Sequence, residues 1–389
     1  DTPDSSFYLS MSLFGDQVTD RAPVDSYWWT RLGFIAPNRL LAEVLGPWVG
    51  MAAYRMVLLL AIVAGSMVLL RRFARLPAAA ALTAMLALST VVLSYLGNPY
   101  LTGSVLAGTV ALIACSQFDQ RWVAGLSGFI LGWLVMVNPP GFLLAGVIWL
   151  AVRIHRQATQ PEPWPTVLKR LGLTVAAGVA AFIGFLLAGR WIFPGMDWFA
   201  AYLRASGIDL SNFASTEPVW LQDASLLVPL AGLVVSLAAW AARRSDPAAR
   251  LALVISATSI AFMLAFSPLM GGIALEAPMY QAMLWPPALL ALALAAASVL
   301  GEEPGSALTW VVGALGVTAM LLAGRWPGAW SPLTCLVVMV VLTGLAVACQ
   351  RSADRSRWPA ALALAGIAAL LAGSQLVQNS RGPIGLYYL

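Results

Sequence analysis

The groups in this chain that could move a proton or hold an anion are scarce, and they are not scattered. Of its 17 carboxylates, eleven (Asp1, Asp4, Asp16, Asp20, Asp25, Glu43, Asp197, Asp209, Glu217, Asp223 and Glu276) fall in or beside three stretches, residues 1–50, 194–222 and 269–282. Arg31, Arg39, Arg55 and Arg204 lie in or next to the same stretches. The long apolar runs between them carry almost no charge at mid-length. Ion-coupled carriers and pumps keep ionisable residues at membrane depth, so the pattern disfavours a proton- or sodium-driven transporter. It points instead to work on a substrate at a membrane boundary.

Several other chemistries are excluded by residue type. His155 is the only histidine and sits among arginines, so a histidine-based triad or zinc centre elsewhere has no imidazole to use. Cys115, Cys335 and Cys349 lie within or at the edge of apolar runs and form no CxxC pair, so they read as small apolar fillers. The net charge of +5 does not mark a nucleic-acid partner, because Lys169 is the only lysine and no basic cluster is interleaved with exposed aromatics.

The elements that must position these groups are membrane helices. The 389 residues are 60% hydrophobic and 10% charged, where a soluble domain carries roughly 25% charged residues. The expected fold class is therefore an all-α, polytopic integral membrane protein. Runs long enough to cross a bilayer read as 51–70, 77–96, 101–116, 122–138, 140–153, 171–193, 224–243, 249–268, 283–300, 307–324, 332–349 and 359–377, twelve spans in a single membrane domain over 51–389. The short pair 122–138 and 140–153, joined by Asn138-Pro139-Pro140-Gly141, reads equally well as a shallow hairpin.

Arginine bias orients the spans. One set of loops holds Arg71, Arg72, Arg75, Arg121, Arg153, Arg156, Lys169, Arg170, Arg243, Arg244, Arg250, Arg351, Arg355 and Arg357. The other holds Arg21, Arg31, Arg39, Arg55, Arg190, Arg204, Arg325 and Arg381 over longer stretches. The first set is therefore cytoplasmic, and residues 1–50, 194–222 and 269–282 are external.

In the first external loop, Phe7, Met11 and Phe14 recur at helical spacing, and Leu40, Leu41, Val44 and Leu45 make a second apolar stripe. Both read as amphipathic helices on the membrane surface. A third is expected from Asp197 to Ala205, with Trp198, Phe199, Tyr202 and Leu203 as its apolar face. Gly128-x-x-x-Gly132 is a candidate for close helix approach. Asp1 begins neither a basic nor an apolar leader, so no signal peptide is read here, and one further membrane helix is expected before it.

The order of several short motifs carries a resemblance. Asp1-Thr2-Pro3-Asp4-Ser5-Ser6-Phe7-Tyr8-Leu9, then Tyr27-Trp28-Trp29-Thr30-Arg31-Leu32-Gly33-Phe34-Ile35-Ala36-Pro37, then Leu45-Gly46-Pro47 and Tyr54-Arg55 resemble the first external loop of polyprenyl-phosphate-dependent glycosyltransferases with the C-type membrane fold. Within that group the closer branch is the bacterial relatives of the dolichyl-phosphate-mannose protein mannosyltransferases. The resemblance extends more loosely through Asn98-Pro99-Tyr100, the region from Ala124 to Gly141, and Tyr280 to Pro287; beyond about residue 300 it rests on hydropathy.

The resemblance implies a multi-pass enzyme of a bacterial inner membrane, transferring a sugar from a polyprenyl-phosphate donor to a lipid, glycan or protein acceptor on the extracytoplasmic face. It implies a carboxylate base for the acceptor hydroxyl, Asp4 first and Asp1 second. It also implies arginines that stabilise the departing phosphate, with Arg31, Arg39, Arg55 and Arg204 as candidates. Tyr27, Trp28, Trp29, Tyr100 and Tyr280 are then expected against substrate, with stacking on a sugar or anchoring at the headgroup level equally available to the first three. Relatives carry two adjacent acidic residues where Thr2-Pro3 separates Asp1 from Asp4 here, so either is a candidate base, and a divalent metal is an open requirement.

Each residue also has a plainer reading. Asp4 could cap a helix starting at Ser5, the arginines could anchor lipid headgroups, and the aromatics could form an interfacial belt. Two other functions share the hydropathy: a non-catalytic membrane subunit of a larger complex with a transferase-like fold, and a lipid or polysaccharide transporter.

Overall fold

The computed structural model describes residues 3–14, 30–87, 92, 95–96, 101–193, 197–206, 227–269, 280 and 282–300. Apart from a short 3-10 turn at Ala282–Leu284, the regular elements among these residues are α-helices. In chain order they are α1 (Pro3–Phe14), α2 (Leu32–Leu45), α3 (Pro47–Leu70), α4 (Leu76–Ala87), α5 (Thr102–Cys115), α6 (Arg121–Val137), α7 (Pro139–Thr159), α8 (Trp164–Ile192), α9 (Trp198–Ser206), α10 (Leu227–Ala242), α11 (Pro247–Leu269) and α12 (Trp285–Leu300).

Eight of the expected spans coincide with helices, 77–96 is matched over its first part by Leu76–Ala87, and the three at 307–324, 332–349 and 359–377 lie outside the described residues. By length and composition, α3, α8 and α11 are long and apolar enough to cross a membrane. The shorter apolar helices, such as the 12 residues of α4 and the 17 of α6, reach roughly 18–25 Å at 1.5 Å per residue, less than the ~30 Å hydrocarbon core. The chain is a multi-pass membrane protein; twelve crossings remain the reading of the sequence.

The described helices fall into two compact units, α1, α2, α5–α9 and the first part of α3 in one and the rest of α3, α4 and α10–α12 in the other, with the boundary inside α3 at Ile62. In the second unit α12 packs on α4, α10 and α11. Asp246 accepts from the Ala248 amide at 2.7 Å, capping α11, and from the Ser298 hydroxyl of α12 at 2.8 Å.

The first unit is built on small residues. A Cβ added at Gly128 of α6 would sit 2.8 Å from the Ala177 Cβ of α8, and one at Gly132 would sit 2.9 Å from the Ala181 Cβ. The glycine pair thus lets α6 and α8 touch backbone to backbone, as its spacing implied. Thr174 of α8 uses that approach to donate to the Ala124 carbonyl at 3.1 Å. Against the other side of α6, Leu112, Ile130, Leu134 and Ala145 form a core joining α5, α6 and α7.

The α6–α7 connection is a single residue. Asn138 accepts from the Gly141 amide at 3.3 Å, and Pro139 and Pro140 occupy the first helical positions, where their missing N–H costs nothing. The helix α6 thus matches the 122–138 reading, while α7, at 21 residues, runs past the 140–153 reading at its C-terminal end. The apolar run of α7 ends near Arg153, but the helix continues to Thr159 because Arg153 and Arg156 reach carbonyls of the α5–α6 turn: Ser116 and Phe118 from Arg153, Ser116 from Arg156.

The three helices read as surface helices exist, and on α1 and α9 the apolar stripe is divided between a buried and an exposed side. On α1 it is Tyr8, Met11 and Ser12 that are buried, and Phe14 is exposed. On α9, Trp198 is buried while Phe199 and Leu203 are exposed. Leu40, Val44 and Leu45 of α2 stand exposed, as a lipid-facing stripe requires.

Candidate functional site

The helix α1 is locked into the first unit by a relay of aromatic edges. Tyr8 of α1 meets Phe34 of α2 edge-on at 6.3 Å, and Phe34 meets Tyr54 of α3 edge-on at 5.8 Å. The Tyr54 hydroxyl then pairs with the Ser104 hydroxyl of α5 at 2.9 Å. These rings are buried, and each edge-to-face pair adds about 0.5–1.5 kcal/mol beyond burial. Because α1 begins at Pro3, position 4 is its second helical residue rather than a cap. It lies one turn before Tyr8 on the same helical face.

The helix α2 carries one of the predicted arginines, Arg39, and follows directly on another, Arg31. It begins earlier than its apolar stripe and contains Pro37. Proline has no N–H to donate to the carbonyl four residues back; that carbonyl, of Gly33, instead accepts from the Trp133 indole of α6 at 2.8 Å. Gly33 admits the approach only because it lacks a side chain, since a Cβ there would stand 2.8 Å from the Trp133 carbonyl oxygen. Arg39 donates to the Leu13 carbonyl at 2.9 Å, satisfying one of the last free acceptors of α1, and to Glu43 at 2.6 Å. In this state it is a strut between α1 and α2.

Arg31 precedes α2, and its carbonyl accepts from the Phe34 and Ile35 amides, both at 3.0 Å. The next residue, Leu32, packs against the end of α8: a Cβ on Gly189 would stand 2.7 Å from Leu32 Cδ1 and 3.1 Å from the Trp198 ring. Three elements thus converge on Arg31: α2, the end of α8, and α9, the helix that bears position 204. Asp197 caps α9 by accepting from the Ala200 amide at 3.0 Å. Tyr202 lies edge-on to Phe182 at 5.6 Å. Burial raises the Tyr202 phenol above its ordinary value, and the nearby Arg31 charge opposes that shift.

Arg55 of α3 lines a small cavity with Leu9 and Ser12 of α1, Phe34 and Asn38 of α2, and Gly103 of α5. Its volume is about 20 Å³, room for about one water. The structure therefore brings Arg31, Arg39 and Arg55 into the shell around α1 and α2. Arg204 and Asp4 are placed by backbone alone. Tyr280 stands in the second unit, just ahead of the 3-10 turn. Asp1, Tyr27, Trp28, Trp29 and Tyr100 lie outside the described residues. Among those described, no three His, Cys, Asp or Glu side chains gather as a metal site.

One polar cluster was missed from the sequence. At the other end of α6, the Asp119 carboxylate accepts from Arg153 at 3.4 Å, from Arg156, and from Arg170 at 3.0 Å. Arg170 also pairs with Glu162 at 2.6 Å. The signal was present: Asp119 is the lone acid of the short α5–α6 turn, facing arginines that had been used only to orient the spans.

No protein-family model matches the chain, and no curated protein does. Among solved structures the chain is similar to the crystal structure of ArnT from Cupriavidus metallidurans in the apo state, at 16% sequence identity and a TM-score of 0.51, with 98% of this chain and 72% of that one covered. That likeness is one of fold, and the fold it shows is the C-type glycosyltransferase-like membrane fold that the motifs of the first loop led us to expect.

Proposed function

We propose that the chain is a membrane glycosyltransferase, passing a sugar from a polyprenyl-phosphate donor to an acceptor at the extracytoplasmic face. The observation that carries this reading is the anchoring of α1 through Tyr8, Phe34, Tyr54 and Ser104, which fixes the helix bearing Asp4 beside the elements bearing Arg31, Arg39 and Arg55, within a C-type fold. In the reaction the acceptor oxygen attacks the anomeric carbon by direct displacement. The carboxylate of Asp4, or of Asp1, takes the acceptor proton. The bond from the anomeric carbon to the phosphate oxygen breaks, its electron pair leaves with the polyprenyl phosphate, and guanidinium groups stabilise the charge that develops there. The expected partners are the lipid-linked donor, the surrounding membrane lipids and an acceptor lipid, glycan or protein.

A second reading is favoured by the size of the cavity beside Arg55. At about 20 Å³ it is far below the roughly 300–1,000 Å³ of ligand pockets, and Arg39 is committed to Leu13 and Glu43. Both features suit a non-catalytic membrane subunit that keeps the transferase fold.

The two readings separate in one assay. The purified chain, Asp4→Asn and Asp1→Asn are incubated with labelled polyprenyl-phosphate sugars, and donor turnover is followed. Turnover by the intact chain that falls at least a hundredfold in one folded variant, the lower end of general-base contributions, supports the enzyme and names the base. Absence of turnover with every donor, from folded protein in a lipid mixture, selects the subunit.

A further inference from the structure

We propose that the arginine-lined cavity formed by the α5–α6 turn, α7 and the start of α8 is a binding site for the headgroup of an anionic membrane phospholipid. The cavity measures about 550 Å³, against about 20 Å³ for the one beside Arg55. The charged residues that line it are Asp119, Arg153, Arg156, Glu162 and Arg170, three guanidinium groups against two carboxylates.

The guanidinium groups are anchored but not exhausted. Hydrogen bonds to protein run through Nη1 of Arg153, Nη1 and Nη2 of Arg156, and Nη1 of Arg170. A guanidinium carries five N–H donors, so among the described residues the Nε–H of all three arginines, and Nη2 of Arg153 and Arg170, donate to no protein atom. Asp119 holds the three side chains together and offsets their mutual repulsion, while one net positive charge and several rigid donors remain for a phosphate diester.

The rest of the wall is apolar, as the acyl chains require. Val123, Leu150, Ile154, Val167 and Leu171 line the cavity, and Leu150, Ile154 and Leu171 are among the exposed large hydrophobic residues of α7 and α8. Trp164, also lining it, is 67% exposed, suited to the headgroup level. A soluble anion would have no use for that wall. The end of the bundle where the cavity lies carries the arginine-rich loops, which the positive-inside bias reads as cytoplasmic, the leaflet face where basic pockets between helices meet anionic headgroups. Arg121, at the start of α6, and Trp133 of the Gly33 contact are roughly 18 Å apart along the helix, so the arginine cluster makes no use of the residues of the transferase reading.

The test uses the full chain purified in neutral detergent, with bound lipid counted by native mass spectrometry. Phosphatidylglycerol and phosphatidylcholine are titrated in parallel, with inorganic phosphate as a third arm read by thermal shift. The expected result is one phosphatidylglycerol held at least tenfold more tightly than phosphatidylcholine, and no stabilisation by inorganic phosphate at millimolar levels. Arg153→Gln should weaken phosphatidylglycerol at least tenfold. Val167→Trp, which keeps every arginine and fills the wall, should do the same, so that misfolding of the arginine variant does not decide the outcome. Equal binding of the two lipids, stabilisation by inorganic phosphate matching that by phosphatidylglycerol, or unchanged phosphatidylglycerol binding in folded Val167→Trp would each overturn the proposal.

Discussion

Adding one methyl group at Gly128 should cost stability, whereas adding it three residues earlier should not. A Cβ at position 128 would stand 2.8 Å from the Ala177 Cβ and closer still to the Thr174 carbonyl oxygen, while a Cβ at Gly125 meets nothing within 4 Å. Carbon atoms pack optimally at about 3.5–4.0 Å, so Gly128→Ala asks α6 and α8 to part by roughly 1 Å. Overpacking of that kind costs about 1–3 kcal/mol, and the Thr174 bond to the Ala124 carbonyl contributes a further ~1 kcal/mol if it opens. Against this stands the gain from replacing a helical glycine, about 0.5–1 kcal/mol, which Gly125→Ala collects without the clash. The two variants should therefore differ by about 2–4 kcal/mol. In detergent, thermal unfolding followed by circular dichroism should place Gly128→Ala below Gly125→Ala by several degrees, taking about 2 °C per kcal/mol as the low end for large chains. A Gly128→Ala protein melting at or above Gly125→Ala would refute the close α6–α8 contact.

Trp133→Phe should cost about 1–3 kcal/mol by leaving the Gly33 carbonyl without a donor, and Pro37→Ala, which restores an N–H there, should recover much of it in the double variant; an additive double-mutant cycle in chemical denaturation would contradict this. Arg39→Ala should release the end of α1, speeding amide exchange over residues 8–14 by roughly 5–30-fold for the ~1–2 kcal/mol at stake, and unchanged exchange would deny the strut. The folded chain holds the Tyr202 proton more tightly than the unfolded one. Its contribution to stability is therefore complete below the unfolded value of about 10 and is lost as pH rises through the higher folded value. Tyr202→Phe should flatten that alkaline loss, and identical profiles above pH 10 would remove Tyr202 as its source.

The membrane class, the positions of most helices and the Gly128–Gly132 contact were legible because each rests on local composition and spacing: apolar length, proline placement and glycine period survive without knowledge of partners. Which residues of the apolar stripes of α1 and α9 turn inward was not. In a lipid solvent the residue turned outward is as apolar as the one turned inward, so Phe14 and Met11, or Phe199 and Trp198, carry no label that separates them until the neighbouring helix is known. The start of α2 was hidden for a related reason. Pro37 argues against a helix in sequence, and the carbonyl it leaves open is satisfied by Trp133, a hundred residues away. Arg39 illustrates the limit at the candidate site: its type fits a phosphate, but its partners Leu13 and Glu43 are set by the packing of α1 on α2. The Asp119 cluster escaped because arginines read for topology were not also read as ligands.

The Trp133–Gly33 hydrogen bond spans 100 residues of chain, and that distance becomes a delay during synthesis. At about 5–20 residues per second, α2 leaves the ribosome roughly 5–20 s before the indole that satisfies its broken turn. Throughout that interval the helix bearing Arg39 has an open carbonyl at Gly33 and no α6 to lean on. The packing around α1 and α2 is therefore completed late, only once α6 has been made, and a nascent chain arrested before residue 133 should hold α1 and α2 without the contact that fixes them to the bundle.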